Sequence, residues 1–490
     1  MSYTVVPVEA GRTSERPQRG EFLALGAILA LGAGLRCGSL GLQSFWFDES
    51  ATAYVVGLPG LGDVLDRVAE SESTPPLYYV LTWAWAKLAG QGDLALRSVS
   101  AIAGTAVIPM AWAAARKLAD GPAALVAAGF VAVSPLMLNY SQEARSYELL
   151  TFFCAASFLL TLVVVGEARV KPLVGWVGVS VAALATHYFA VFLLIPEAAF
   201  LLWRSPARKR VAGACGVLAA GGLALLPLFL EQRSHGATDW ISGSDLTLRL
   251  RDTGHQFTKG VIAAPGSGLG ALAIALVVLA LVAVALAPAQ RRTPAQYALA
   301  IGAAATVLPL LLALAGTDVF LFRNVQGAWV PLAVGLAVGL SARRAGLAVA
   351  GALCLVWIAI WVGVLRDESL HRDDWEGAAK ALEAPRSDRA LVITPGYAGA
   401  PLARYGHFGA PVEDEPIEVR ELVLIGNYDS RSAGPVFDRF RLVERRQIQR
   451  IGIARYRSPR AVQLGQDQFA PPGSPAATPR LYLEPGSPPG

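Results

Sequence analysis

The chain has 490 residues, of which 54% are hydrophobic and 16% charged, with a formal net charge of +5. Its mean hydropathy is +0.46, which excludes an ordinary soluble enzyme and points to a polytopic membrane protein with a polar appendage. The four cysteines, Cys37, Cys154, Cys215 and Cys354, all lie in apolar stretches and imply no disulfide framework. The basic residues fall in short clusters between apolar stretches, a pattern of membrane topology rather than nucleic-acid binding.

Residues 1–20 are polar and slightly basic and read as a cytoplasmic tail, followed at 21–42 by an uncleaved apolar anchor. Further apolar stretches near 97–115, 122–138, 147–165, 172–186, 188–203, 210–230, 267–288, 296–315, 325–341 and 345–364 bring the expected spans to about 11. The fold class expected is therefore an all-α polytopic membrane protein, with its membrane domain over 21–365. Arg12, Arg16 and Arg19, then Arg116–Lys117, Arg169 with Lys171, Arg204–Arg210, Arg291–Arg292 and Arg343–Arg344, fall on one face, taken as cytoplasmic. The loop at 231–266 is the exception, because it places Arg233, Arg249, Arg251 and Lys259 opposite.

That count holds only if 77–90 (LYYVLTWAWAKLAG) does not cross. The segment is too short to span, and Tyr78, Tyr79, Trp83 and Trp85 suit a helix lying in the interface. Residues 43–96 then form one outer-face loop with interfacial helices, and it begins on FWFDES, with Asp48 and Glu49 side by side. The same face collects Glu72, Arg97, Glu143, Arg145, His187, Tyr188 and Arg323, most of them near the end of a span. Ionisable groups at a membrane boundary are costly unless they serve a partner or a substrate. Arginine and histidine hold phosphate through charge-assisted hydrogen bonds, and a carboxylate accepts a proton from an attacking hydroxyl. The set therefore fits displacement of a lipid phosphate from a sugar by an acceptor hydroxyl, with cations stabilising the leaving group.

These residues sit in an ordered motif series: FWFDES, TPPLYY, LRSVSAIAG (96–104), SPLMLNYSQEARSYELL (134–150), THYF and FRNVQGAWVP (322–331). The series resembles glycosyltransferase family 39, the group of lipid-A aminoarabinose transferases and protein O-mannosyltransferases, over roughly 21–380. The resemblance implies a GT-C fold, a polyprenyl-phosphate-linked sugar donor and inversion at the anomeric carbon. It implies Asp48 as catalytic base with Glu49 as its companion. Arg145 and Arg323 match basic residues near the donor phosphate, and His187 with Tyr188 lines the same cavity; Arg97, Glu143, Tyr78 and Tyr79 complete the expected binding set. The chain departs from the family at Thr74, where relatives carry histidine before the Pro-Pro pair, and at Asn324, where relatives carry tyrosine. No cofactor follows with certainty. A divalent metal stays open, and Glu72 is the single ligand this chain offers it.

Residues 366–458 alternate a helical stretch (375–384) with β-like runs at 390–395, 421–426 and 450–456, giving an extracytoplasmic α/β domain without a phosphate loop. Acceptor recognition or structural capping is the role expected of it. Residues 459–490 are Pro/Gly-rich and read as a disordered tail. The expected activity is a plasma-membrane glycosyltransferase with a lipid, glycan or protein acceptor, membrane lipids as surroundings and no nucleic-acid partner. The alternatives are a polytopic transporter, which would carry its charges near mid-span, and a non-catalytic scaffold of envelope biogenesis. An Ala/Gly/Arg-rich composition with few lysines fits a bacterial host.

Overall fold

The computed structural model describes residues 17–167, 169–260, 268–385, 387–406, 408–413, 415–426, 436–469 and 478–486. Most of the expected N-terminal tail, 1–16, lies outside them. The chain divides into two compact units: Met1–Leu40 with Val55–Arg366, and Gly41–Tyr54 with Asp367–Gly490.

The first unit is helical. It opens with α1 (Arg19–Cys37); α2 (Phe47–Val56) begins in the second unit and ends in the first; α3 (Leu61–Ser71) and α4 (Leu77–Ala89) follow. Glycines and prolines at 57, 59, 60, 75 and 76 separate these short helices, and α4 is 13 residues long, the short interfacial element expected. Then come α5 (Asp93–Leu118), α6 (Gly121–Val133), α7 (Pro135–Tyr140), α8 (Tyr147–Glu167), α9 (Val170–Thr186), α10 (Val191–Arg204), α11 (Arg208–Ala224) and α12 (Leu226–Ser234). The unit ends with α13 (Leu246–Lys259), α14 (Gly268–Ala285), α15 (Ala289–Leu314), α16 (Trp329–Leu340) and α17 (Arg344–Arg366).

Every apolar stretch read from the sequence is helical, but among the described residues seven are long and apolar enough to cross a membrane unaided. The others are shorter: α6 has 13 residues, α9 has 17, α10 has 14 and α16 has 12. At 1.5 Å per residue, 12–14 residues reach only about 20 Å of a hydrocarbon core about 30 Å thick. The count of about 11 therefore merges helices with the breaks beside them. One break is chemically explicit. Pro135 has no N–H to offer the carbonyl of Val131, and α6 stops. The Arg36 guanidinium from α1 fills the gap, donating to Val131 O at 2.9 Å and Ala132 O at 3.0 Å, and to Ser141 Oγ at 3.0 Å. Ser141 donates in turn to Glu148 Oε1 at 3.1 Å, whose other oxygen accepts from Gln326 at 3.1 Å.

A second polar knot sits where α8, α9 and α10 meet. Ser157 and Thr161 of α8 and Trp176 of α9 all donate to the Glu197 carboxyl of α10, at 3.2, 3.2 and 3.1 Å. Polar groups removed from water must find partners, and here three helices are fixed in register by that requirement.

The second unit is the small α/β domain. It holds α18 (Trp375–Ala381), β1 (Arg389–Thr394), α19 (Gly399–Tyr405), β2 (Ile417–Gly426), β3 (Arg441–Ile448), β4 (Ile451–Leu464) and β5 (Arg480–Glu484). The strand order is β3-β4-β2-β1-β5, with β1 and β2 parallel and the other pairs antiparallel. Strand β1 is buried along its whole length, and apolar clusters cover both faces of the sheet. The expected strands at 390–395, 421–426 and 450–456 are β1, β2 and β4. The expected tail is corrected: 459–464 continue β4, and β5 pairs with β1 as an edge strand, burying Leu481 completely. Arg389 of β1 donates to Glu484 at 2.7 Å, tying that edge down. Residues 470–477 and 487–490 of the expected tail lie outside the described residues. The loop boundary also changes, since 41–54 belong to this unit and 55–96 to the first.

Candidate active site

In the first unit the basic residues gather around Tyr147, the first residue of α8. His187 caps the C-terminus of α9, and its ring centroid lies 5.6 Å from that of Tyr147. The Arg323 guanidinium is 5.8 Å from the same ring, on the far side of the chain in sequence. Arg145 sits two residues upstream, and both arginines act electrostatically on His187. His187 is buried and its Nδ1 accepts from the Phe189 backbone N–H at 3.3 Å. Arg323 is half-buried, and its cation also stacks on Trp240 at 5.4 Å.

Arg145 is held from the other side. It pairs with Glu72 at 3.3 Å, and the two side chains are 10% and 6% exposed. Tyr79 of α4 donates to the same Glu72 oxygen at 2.5 Å, accepts from Arg145 at 3.3 Å, and accepts from Thr74 at 3.4 Å. Burial pushes the Tyr79 phenol well above its ordinary range, with Arg145 opposing, so it stays a donor. Tyr78 packs edge-on against Tyr79 with centroids 5.5 Å apart. Tyr188 donates to Gln232 of α12 at 2.8 Å, and Gln232 donates to Val68 O and Thr74 O. Thus Glu72, Thr74, Tyr78, Tyr79, Arg145, His187, Tyr188 and Arg323 form a connected network inside one unit. Glu143 is buried in the turn leading to Arg145. Arg97 is buried against the backbone, donating to Leu40 O at 2.7 Å.

The network does not fit a divalent cation at Glu72. Its carboxylate already faces a guanidinium and a phenol, and a second cation there would be repelled. Among the described residues no group of three or more His, Cys, Asp or Glu side chains could hold a metal.

The acid pair lies in the second unit, in the first turn of α2. Asp48 is half-buried, while the Glu49 side chain is 0% exposed and pairs with Arg372 at 3.0 Å. The segment before them is clamped by the same domain: Arg372 N–H donates to Gln43, Ser44 Oγ donates to Asp373 O, and Phe45 N–H donates to the Tyr405 hydroxyl at 2.6 Å.

Sequence reasoning missed several participants. Tyr147, Trp240, Gln232 and Arg372 carry no local signal, because their partners lie 40 or more residues away. Arg249 was read as a topological exception, and the structure explains it. It grips Asp318 bidentately at 2.9 and 2.6 Å and Phe320 O at 2.6 Å, fixing the strand of chain that leads to Arg323. Glu148 and Glu197 did carry a signal, a charge inside an apolar run.

Residues 73–230 match the family model described as dolichyl-phosphate-mannose-protein mannosyltransferase. That stretch holds Tyr78, Tyr79, Arg97, Glu143, Arg145, His187 and Tyr188. No curated protein matches the chain. Among solved structures, the chain is similar to the protein O-mannosyltransferase Pmt1-Pmt2 complex of S. cerevisiae bound to the sugar donor, at 20% identity and a TM-score of 0.35, over 44% of this chain and 34% of that one. It therefore spans about a third of that relative's length. It is also similar to ArnT from Cupriavidus metallidurans bound to undecaprenyl phosphate, at 15% identity and a TM-score of 0.42, covering 89% and 97% of the two chains. A third is the arabinofuranosyltransferase AftD from Mycobacteria, at 15% identity and a TM-score of 0.48, covering 90% and 40%. The family-model match is thus to a mannosyltransferase family, over residues 73–230 of the chain.

Proposed function

We propose that the protein is a multi-pass membrane glycosyltransferase that moves a sugar from a polyprenyl-phosphate-linked donor to an acceptor hydroxyl on the extracytoplasmic face. The observation that carries this reading is the gathering of Arg145, His187 and Arg323 around Tyr147, largely within the stretch that matches the mannosyltransferase family model. Two guanidiniums in a mostly buried setting hold a phosphate and stabilise the charge that develops on it as the glycosidic bond breaks. Glu72 and Tyr79 keep Arg145 aimed and limit its conformational freedom.

Asp48 takes the proton from the acceptor hydroxyl, and Glu49 supports it. Attack on the face opposite the departing lipid phosphate inverts the anomeric carbon. The N-terminus is cytoplasmic, the C-terminal domain extracytoplasmic, and the membrane is the bacterial plasma membrane. The acceptor is an envelope glycan, a lipid headgroup or a protein side chain.

The test compares envelope glycolipids, glycans and glycoproteins of a deletion strain and its parent by mass spectrometry. The proposal expects one glycan mass to disappear and to return on complementation with the wild-type chain but not with Arg145→Gln. Unchanged masses, with altered solute flux instead, would replace the enzyme with the transporter.

A further inference from the structure

The α/β domain was expected to recognise acceptor or to cap the membrane domain. Its contacts point to a task besides these. Within that unit, residues 43–49 are held at every second position or closer. Gln43 accepts from the Arg372 N–H at 2.9 Å, Ser44 accepts from the Trp375 N–H at 3.0 Å, and Phe45 donates to Tyr405. Trp46 lies under the Arg372 guanidinium at 5.4 Å, Phe45 under that of Arg404 at 5.3 Å, and Phe47 packs on Tyr397 at 5.2 Å. Glu49, with no exposed side-chain surface, meets the same Arg372 at 3.0 Å. Arg372 thus touches three of these residues, through its backbone, its cationic face and its Nη1.

We propose that Arg372 is a positioning residue for the acid pair, acting within the unit that holds both. This rests on the function proposed above. The physical reason is that two adjacent carboxylates repel, and a buried one without a cation is strongly unfavourable. Arg372 neutralises Glu49 and fixes the first turn of α2, which also carries Asp48. A guanidinium suits this better than an ammonium, because it stacks on an indole and donates in a fixed plane at once. The arrangement also accounts for the HRDDW segment: Asp373 and Trp375 complete the clamp through backbone atoms, and the Asp374 side chain caps α18 by accepting from Gly377 N–H.

The test uses the full chain in the deletion strain and reads the rate at which the missing glycan mass reappears after induction, per amount of protein in the membrane. A second readout is the thermal shift of the purified full chain with undecaprenyl phosphate alone. Arg372→Gln is expected to slow transfer by about tenfold or more while leaving that shift unchanged, and Arg372→Lys to recover part of the rate. The double variant Glu49→Gln/Arg372→Gln is expected to be no slower than the slower single one, because the two act as a unit. Wild-type transfer by Arg372→Gln beside an inactive Asp48→Asn would overturn this inference and leave the function standing. A double variant slowed by the product of the singles would overturn it too. Failure of both Arg372→Gln and Arg372→Lys to accumulate would assign the residue to folding and likewise overturn it. Wild-type transfer by Asp48→Asn would instead remove the functional reading beneath.

Discussion

Replacing Arg145 by glutamine leaves Glu72, 6% exposed, without its cation. Breaking one side of a buried ion pair costs about 3–5 kcal/mol, because the remaining charge keeps its desolvation penalty. Tyr79 still donates to Glu72, and a hydrogen bond to a charged group retains about 1.5–3 kcal/mol of that loss. The expected destabilisation of Arg145→Gln is therefore about 2 kcal/mol. Glu72→Gln/Arg145→Gln removes the orphaned charge and is expected to recover more than half of it, a coupling of about 1–2 kcal/mol. Reversible unfolding of the purified full chain in mixed detergent micelles, followed by tryptophan fluorescence, measures all four members of the cycle. Transfer should separate from stability, because the double variant regains the fold and not the phosphate-binding cation. Strictly additive destabilisation would refute the reasoning, since it would mean that Arg145 and Glu72 do not interact. So would full transfer activity in the restored double variant.

Three other outcomes follow from the same geometry. A Cβ on Gly327 would stand 2.8 Å from Cys154 Sγ. Gly327→Ala is thus expected to displace the turn that carries Arg323, costing about 1–3 kcal/mol in unfolding experiments and slowing transfer, while Cys154→Ala in the same chain relieves both. The Arg249 guanidinium beside Asp318 holds that carboxyl below the usual carboxylate range, so its contribution is complete above about pH 4 and is lost as pH falls through the native value. Unfolding measured as pH is lowered from about 6 through the native value should lose that increment in the wild type and lack it in Arg249→Leu. Ending the chain after Phe469 removes β5, exposes the edge of β1 and strips Arg389 of Glu484; limited proteolysis should then cut the C-terminal domain, whereas a truly disordered tail would be dispensable.

The span pattern and three of the five strands were legible because each depends on local periodicity. Strand β3, RLVERRQI, was not, since its burial is low along its length and alternation carries little signal on an exposed edge. Strand β5 hid behind a Pro/Gly-rich stretch whose composition resembles disorder, and only its pairing with β1 orders it. Of the candidate site, the residues near span ends were legible from charge at a membrane boundary. Their organisation was not: Arg372 is 323 positions from Glu49, and Asp318 is 69 from Arg249. The most consequential difference concerns FWFDES, which looks like the start of a loop in sequence and packs with the domain that begins more than 300 residues later.

The central claim is that Asp48 is the base for an acceptor hydroxyl. The most direct measurement is the rate at which the glycan mass lost in the deletion strain returns when Asp48→Asn replaces the wild type at equal membrane abundance. Removal of a general base lowers rates by about 10²–10⁴-fold, so the account predicts no detectable return within the time the wild type restores the full signal. Restoration at the wild-type rate would contradict it.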